Sequence, residues 1–140
     1  MTGSKIYLDT APFIYYLEQN QQYFDTTRSF FKKCYEEKIA LATSSLTIEE
    51  YCVYPLSNGN EMVVENFFSF IKGMNIEVIS ASKEIALEAA KIRAKYKGFK
   101  ALDALHLATA KLSDCNSFIT NDKQLRQMQE LHILTVDDLK

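Results

Sequence analysis

Four acidic residues are the part of this sequence that could do chemistry together. Two follow short apolar runs: Asp9 comes directly after IYL, and Asp122 comes two residues after SFIT. The other two, Glu50 and Asp103, lie in stretches with helical spacing. Carboxylates brought together repel one another unless a cation joins them, and oxygen ligands are those that Mg²⁺ and Mn²⁺ prefer. A site of this kind would activate water for phosphoryl transfer or phosphodiester hydrolysis without a nucleophilic side chain.

Metal sites built from sulfur or imidazole have little support in the sequence. The two histidines, His106 and His132, are not in an HxxxH or Cys/His spacing. The three cysteines are far apart and form no CxxC pair, so neither a disulfide framework nor a thiolate zinc site is predicted. This cysteine usage fits a reducing cytoplasm.

Asp9 and Asp103 also have interpretations that involve no ligand. Asp9, or Thr10 beside it, could simply cap the helix that Pro12 would begin. Asp103 falls in the first turn of an apolar helix, with His106 and Leu107 on the same side. A carboxylate in that position could be satisfied by backbone donors at the helix start, by a cation or by a metal ion. Neither acid decides between these alternatives alone.

Glu50 competes with its neighbour Glu49 for a place in the site. On a helix, Glu50 lies beside Leu46, Val53 and Tyr54, whereas Glu49 points about 100° away. The spacing therefore favours Glu50. Both could instead be solvated surface acids, which is common for adjacent glutamates.

The elements that must position these acids alternate along the chain. Buried strands are predicted in the stretches 5–10, 39–43, 76–79, 117–120 and, as an edge strand, 133–136. Helices are predicted over 12–18, 22–38, 46–54 closed by Pro55, 62–71, 82–96, 101–112 and 123–129. This order predicts an α/β fold with a mostly parallel sheet of four to five strands flanked by helices. Asp9 and Asp122 would then lie at the carboxyl edge, where such sheets bind ligands.

Length and composition bound the class of protein. With 140 residues, 47% hydrophobic and 24% charged, the chain suits one domain over residues 1–140 with an ordinary buried core. It contains no apolar run of about 18 residues and no basic-then-apolar leader, so a cytoplasmic protein without a membrane anchor is expected.

Contact with nucleic acid, if there is any, must be local. The net charge is −2 and the pI is about 5.7, so the chain has no general electrostatic attraction for phosphates. Local cations do occur, at Lys97 and Lys100 ahead of Asp103 and at Lys123 beside Asp122. These lysines are candidate RNA contacts, although such charges are more often a solvated helix face.

Four segments together resemble a known family. YLDTAPFIYYLE, SSLTIEEYCVYPL, KALDALHLATA and FITNDKQL, in this order, are similar to the signature blocks of PIN-domain ribonucleases, especially VapC-like toxins. The resemblance covers most of the chain and implies a PIN-like α/β/α sandwich. It implies a Mg²⁺- or Mn²⁺-dependent endoribonuclease, commonly a homodimer and often paired with a small antitoxin protein that blocks the site.

The same resemblance assigns roles to individual residues. It implies that the catalytic, metal-binding quartet is Asp9, Glu50, Asp103 and Asp122. It also implies that Thr10, Thr120 and Asn121 orient the acids or a water.

Other classes fit less well. A haloacid-dehalogenase-like phosphatase needs a second Asp two residues after the first, where this chain has Ala11. A receiver domain needs an Asp after the third strand, where Ser80, Ala81 and Ser82 stand. A non-catalytic PIN-like module that binds RNA or protein remains an alternative, but such modules typically lose one or more acids, and this chain keeps all four.

Overall fold

Five parallel strands form a single sheet in the computed structural model, which describes residues 4–140. Their order across the sheet is β3-β2-β1-β4-β5. The strands are β1 Lys5–Leu8, β2 Ala40–Ser44, β3 Glu77–Ile79, β4 Ser117–Thr120 and β5 His132–Thr135. The predicted parallel sheet is confirmed, and β5 does lie at an edge.

In the described part of the chain, six α-helices accompany these strands. They are α1 Thr10–Leu17, α2 Phe24–Glu36, α3 Ser45–Ser57, α4 Glu61–Gly73, α5 Lys83–Lys95 and α6 Ala101–Leu112. Two short 3-10 helices follow β4 and β5, at Lys123–Gln127 and Val136–Leu139. Within residues 4–140, none of the helices has the length and apolar character needed to cross a membrane.

The central strand β1 pairs with β2 on one side and β4 on the other. Tyr7 is in register with Ala42 of β2 and Phe118 of β4. The ladder continues past Leu8, since the Asp9 N–H donates to the Ile119 carbonyl at 3.1 Å. The ends of β1 and β4 are therefore adjacent, a pairing that the order of strands and helices had left open.

Two expectations about element ends are wrong. Pro55 does not close α3, which continues to Ser57. A proline this close to the end removes one intrahelical hydrogen bond, and the last carbonyls accept bonds from the following loop, including Asn60 N–H to Pro55 O at 2.8 Å. Val136 does not belong to β5 but begins a 3-10 helix, because Thr135 and Asp138 form a reciprocal capping box there.

Alternating side chains of β1 and β4 face two separate halves of the core. Tyr7 and Phe118 lie on the face covered by α5 and α6. Leu8 and Ile119 lie on the opposite face, which packs against the aromatic side chains of α1, α2 and α4. Both faces of the central strands are buried, as expected for a parallel sheet.

A matched pair in α4 tests this description of the second half-core. Phe67 is fully buried and stacks on Tyr51 at 4.6 Å, whereas its neighbour Phe68 is 43% exposed. We expect Phe67→Ala to lower the free energy of unfolding by roughly 3–5 kcal/mol. Phe68→Ala should lower it by less than about 1 kcal/mol. Urea unfolding followed by circular dichroism measures both, and equal losses would contradict the burial described here.

Candidate functional site

Asp9 stands where β1 passes into α1. One of its carboxylate oxygens accepts a hydrogen bond from the Ala11 N–H at 3.0 Å, so Asp9 is indeed the N-cap of α1. Burial raises the pKa of Asp9 to about 6, although the Thr120 hydroxyl, His106 and the Ala11 N–H all act to lower it. The cap therefore explains part of the environment of Asp9, but its ionised form remains less favourable than that of an ordinary aspartate.

Asp122 repeats this arrangement after β4. Its carboxylate accepts a hydrogen bond from the Gln124 N–H at 3.0 Å and caps the 3-10 helix. Its own N–H donates to the Thr120 hydroxyl oxygen at 3.1 Å. Thr120 is buried and interacts with both strand-terminal acids, while Asn121, which precedes Asp122 in the sequence, is exposed. Both acids thus lie at the carboxyl edge.

Asp103 approaches the same edge from the first turn of α6. It is partly buried, and its pKa is raised by that burial and then by the nearby charges of Asp122 and Glu50. Lys100, the N-cap residue of α6, and His106 act in the opposite direction. Asp103 is therefore within electrostatic reach of Asp122 and Glu50, and Glu50 also acts on Asp9.

Glu50 and Glu49 have different surroundings, as the helical spacing predicted. Glu49 is exposed, whereas the Glu50 side chain is 31% exposed and faces the other acids. Its Oε1 accepts a hydrogen bond from the Thr10 hydroxyl at 2.8 Å and another from His106 Nε2 at 2.6 Å. These bonds hold the pKa of Glu50 below its usual value. The assignment of Glu50 as a metal ligand stays a prediction.

A buried polar chain behind Glu50 was not predicted from the sequence. The Nδ1 atom of His106 lies 2.7 Å from the Tyr7 hydroxyl, which is itself 2.8 Å from Ser44 Oγ. The i,i+3 spacing from Asp103 indicated only which side of α6 His106 would take. Nothing local in the sequence indicates Tyr7, since it is 99 residues from its partner.

The donor chemistry of the edge fits a hard divalent cation. Its carboxylates are oxygen ligands, and burial raises the pKa of two of them, Asp9 and Asp103. In the arrangement seen across residues 4–140, no three His, Cys, Asp or Glu side chains are grouped so that they could hold a metal ion. The acids lie at the same edge of the sheet but do not surround a single point.

Two of the three lysines predicted to contact RNA, Lys100 and Lys123, lie beside these acids. Lys100 immediately precedes α6, and its positive charge acts to lower the pKa of Asp103. Lys97 and Lys123 are exposed, the second of them in the first position of the 3-10 helix that Asp122 caps.

The raised pKa of Asp9 gives a pH-dependent prediction for the metal-free protein. Because the folded-state pKa, about 6, exceeds the ordinary 3.8, Asp9 makes folding less favourable as the pH rises through this interval, and the loss persists above it. Asp9→Asn keeps the cap and removes the charge. We expect the variant to gain on the order of 1 kcal/mol in free energy of unfolding at about pH 8, and nothing at about pH 4.

Urea unfolding in EDTA at the two pH values measures this difference. A variant no more stable than the wild type at the higher pH would show that Asp9 is not destabilised by its burial.

Solved structures with the same fold come from bacterial toxin-antitoxin systems. VapBC2 from Rickettsia felis, solved with a DNA fragment from its promoter, gives a TM-score of 0.75 at 17% identity over 94% of this chain and 98% of that one. A toxin-antitoxin complex from Klebsiella pneumoniae gives a TM-score of 0.69 at 23% identity, over 94% of this chain and 97% of that one. VapC20 of Mycobacterium tuberculosis, a toxin that cleaves the sarcin-ricin loop, gives a TM-score of 0.66 at 13% identity, over 91% of this chain and 98% of that one.

At these identities the similarity establishes the fold. A search of curated proteins found no match. The family described as PIN domain matches residues 6–131, which is most of the chain and includes all four acids. The expected family is thereby confirmed: this chain belongs to the PIN domain family.

Proposed function

We propose that this protein is a Mg²⁺- or Mn²⁺-dependent endoribonuclease and that Asp9, Glu50, Asp103 and Asp122 hold its metal. The observation that carries the proposal is the convergence of four acids, from two strand ends and two helices, at one edge of a PIN domain. Burial raises the pKa of two of these acids, Asp9 and Asp103, and a bound cation would stabilise their ionised forms. A non-catalytic PIN-like module gives no reason to keep all four acids.

The chain's own residues would hold and orient the reacting groups. A bound divalent ion would supply an activated water and would stabilise the leaving oxygen of the RNA phosphodiester. Thr10 restrains Glu50, and Thr120 restrains both Asp9 and Asp122. Since metal binding requires ionised carboxylates, Asp9 must lose the proton that its burial favours below about pH 6. Asn121 is exposed beside Asp122 and would face the substrate or a water.

RNA cleavage by partner-free protein tests the activity. We expect diverse RNAs to be cleaved with Mn²⁺ or Mg²⁺ present, and we expect EDTA to stop the reaction. Asp9→Asn, which keeps the helix cap, should reduce cleavage to background. If the wild type leaves all RNAs intact with Mn²⁺ and Asp9→Asn behaves identically, the protein is a binding module instead.

The adjacent glutamates provide a matched pair for the fourth acid. Glu50→Gln should reduce the cleavage rate at least about 10-fold, because it alters the carboxylate that faces the other acids. Glu49→Gln changes an exposed neighbour and should leave the rate within about twofold. Single-turnover cleavage with saturating Mn²⁺ measures both rates. A larger loss for Glu49→Gln would reverse the assignment.

We also propose that Lys97, Lys100 and Lys123 contact the RNA backbone. The positions of two of these lysines support the proposal. The charge of Lys100 acts to lower the pKa of Asp103, and Lys123 directly follows Asp122 in the sequence. These local cations would compensate for a net charge of −2.

Charge reversal tests these contacts. Lys97→Glu and Lys100→Glu should weaken RNA binding and lower the slope of log affinity against log salt by roughly one for each phosphate that is no longer neutralised. Lys72→Glu is the control, because Lys72 is exposed near the end of α4, ahead of β3 and so at the opposite edge of the sheet. Filter binding over a salt series measures the slope, and equal slopes for all variants would exclude the proposed contacts.

The biological setting proposed is a toxin-antitoxin pair. The support is that similar folds are found in VapBC structures from several bacteria. We propose that the protein acts in the cytoplasm as a homodimer and that a small cognate antitoxin blocks the acidic edge. Cys34, Cys52 and Cys115 are all buried as free thiols, which fits a reducing compartment.

A further inference from the structure

We infer that His106 and Tyr7 are positioning residues for Glu50: they hold its Oε1 atom so that Oε2 is the oxygen presented to the metal. The inference rests on the proposed function, since it concerns the metal site proposed there. It adds two residues that neither bind the metal nor touch the substrate.

The contacts of Glu50 are unevenly divided between its two oxygens. Among the described residues, the hydrogen bonds to this side chain come from Thr10 Oγ1 and His106 Nε2, and both end on Oε1. A carboxylate accepts and does not donate, so Nε2 carries the proton in the bond to Glu50. Because Oε1 accepts two hydrogen bonds, the carboxylate has a fixed orientation, and Oε2 keeps its lone pairs for another partner.

The imidazole that orients Glu50 is itself held from behind. The His106 side chain is 4% exposed, and its Nδ1 lies 2.7 Å from the Tyr7 hydroxyl. Both ring nitrogens are therefore engaged, so a flip or tilt of the ring would break a buried hydrogen bond. A histidine whose second nitrogen is fixed in this way presents the first one in a defined direction.

Tyr7 provides a rigid base for this chain. It belongs to the central strand, its ring stacks on Phe118 at 5.1 Å, and its hydroxyl also reaches Ser44 Oγ at 2.8 Å. Ser44 in turn is the N-cap of α3, the helix that carries Glu50. These hydrogen bonds thus link β1, which Asp9 follows, to α3, which carries Glu50. They fix the positions of Asp9 and Glu50 relative to each other.

A purely structural ion pair between Glu50 and His106 is the competing explanation. It predicts that changes to His106 or Tyr7 lower the melting temperature and leave metal affinity unchanged. Positioning predicts that both quantities change, because a free Glu50 carboxylate must lose side-chain entropy to bind the metal.

Calorimetric titration of the metal-free, partner-free full chain with Mn²⁺ separates these explanations. We expect His106→Ala to weaken Mn²⁺ binding roughly 10–100-fold, and we expect Tyr7→Phe, which keeps the ring and removes one oxygen, to weaken it in the same direction by a smaller factor. His106→Gln offers an amide N–H to Glu50 and should recover part of the affinity that the alanine variant loses.

Tyr96→Phe is the matched control. Its ring also stacks on a phenylalanine, Phe99 at 5.2 Å, and its hydroxyl donates to Glu130. This variant should bind Mn²⁺ like the wild type. Circular dichroism spectra and melting temperatures confirm that each variant is folded.

The outcomes separate the inference from the proposed function. If the wild type binds Mn²⁺ and both Tyr7→Phe and His106→Ala bind it equally well while melting at lower temperature, His106 is structural and only the inference is overturned. If the wild type binds no Mn²⁺ and cleaves no RNA, the proposed metal site fails and the inference fails with it.

Discussion

The parallel pairing of β1 with β4 at the centre of the sheet is the constraint on which the rest of this structure depends. It brings Asp9 and Asp122 to one edge, since each acid follows the end of its strand. The pairing is held from both faces, with Tyr7 against Phe118 on one side and Leu8 with Ile119 on the other. The acids are therefore at positions set by the core, and the burial that stabilises the fold also raises the pKa of Asp9.

The protein offsets part of this electrostatic cost with local hydrogen bonds. Asp9 and Asp122 each use one oxygen to cap the following helix, and Glu50 is bonded to Thr10 and His106. The compensation is uneven, because the pKa of Glu50 is lowered whereas those of Asp9 and Asp103 are raised. A cation would therefore be most stabilising at Asp9, after β1, and at Asp103, in the first turn of α6.

Local patterns were sufficient to predict most of the fold. The bounds of α6, residues 101–112, agree with its apolar spacing because Gly98 and the loop around it separate α6 from α5. The errors occurred where a side chain overrides a local preference: Pro55 is tolerated near a helix end, and Asp138 closes a capping box with Thr135. The position of Asp9 and Asp122 at the carboxyl edge followed from the order of strands and helices, whereas Glu50 and Asp103 were placed with them by the resemblance to the family. The preference for Glu50 over Glu49 followed from helical spacing.

The surroundings of those acids required the tertiary structure. The contact of His106 with Tyr7 joins residues 99 positions apart, and the contact of His106 with Glu50 spans 56. No periodicity in either segment specifies which polar groups will meet across the sheet. The capping role of Asp9 and its candidate role as a ligand are likewise compatible in space, because the cap uses only one oxygen. From sequence alone they were competing alternatives.

The central claim is that these four acids form one metal site, and a crystal structure of the partner-free protein soaked in Mn²⁺ tests it most directly. We expect an anomalous difference peak between the carboxylates of Asp9, Asp103 and Asp122, with Glu50 contributing its Oε2 oxygen. An edge that stays empty at saturating Mn²⁺, or a peak held by other residues, would contradict the claim.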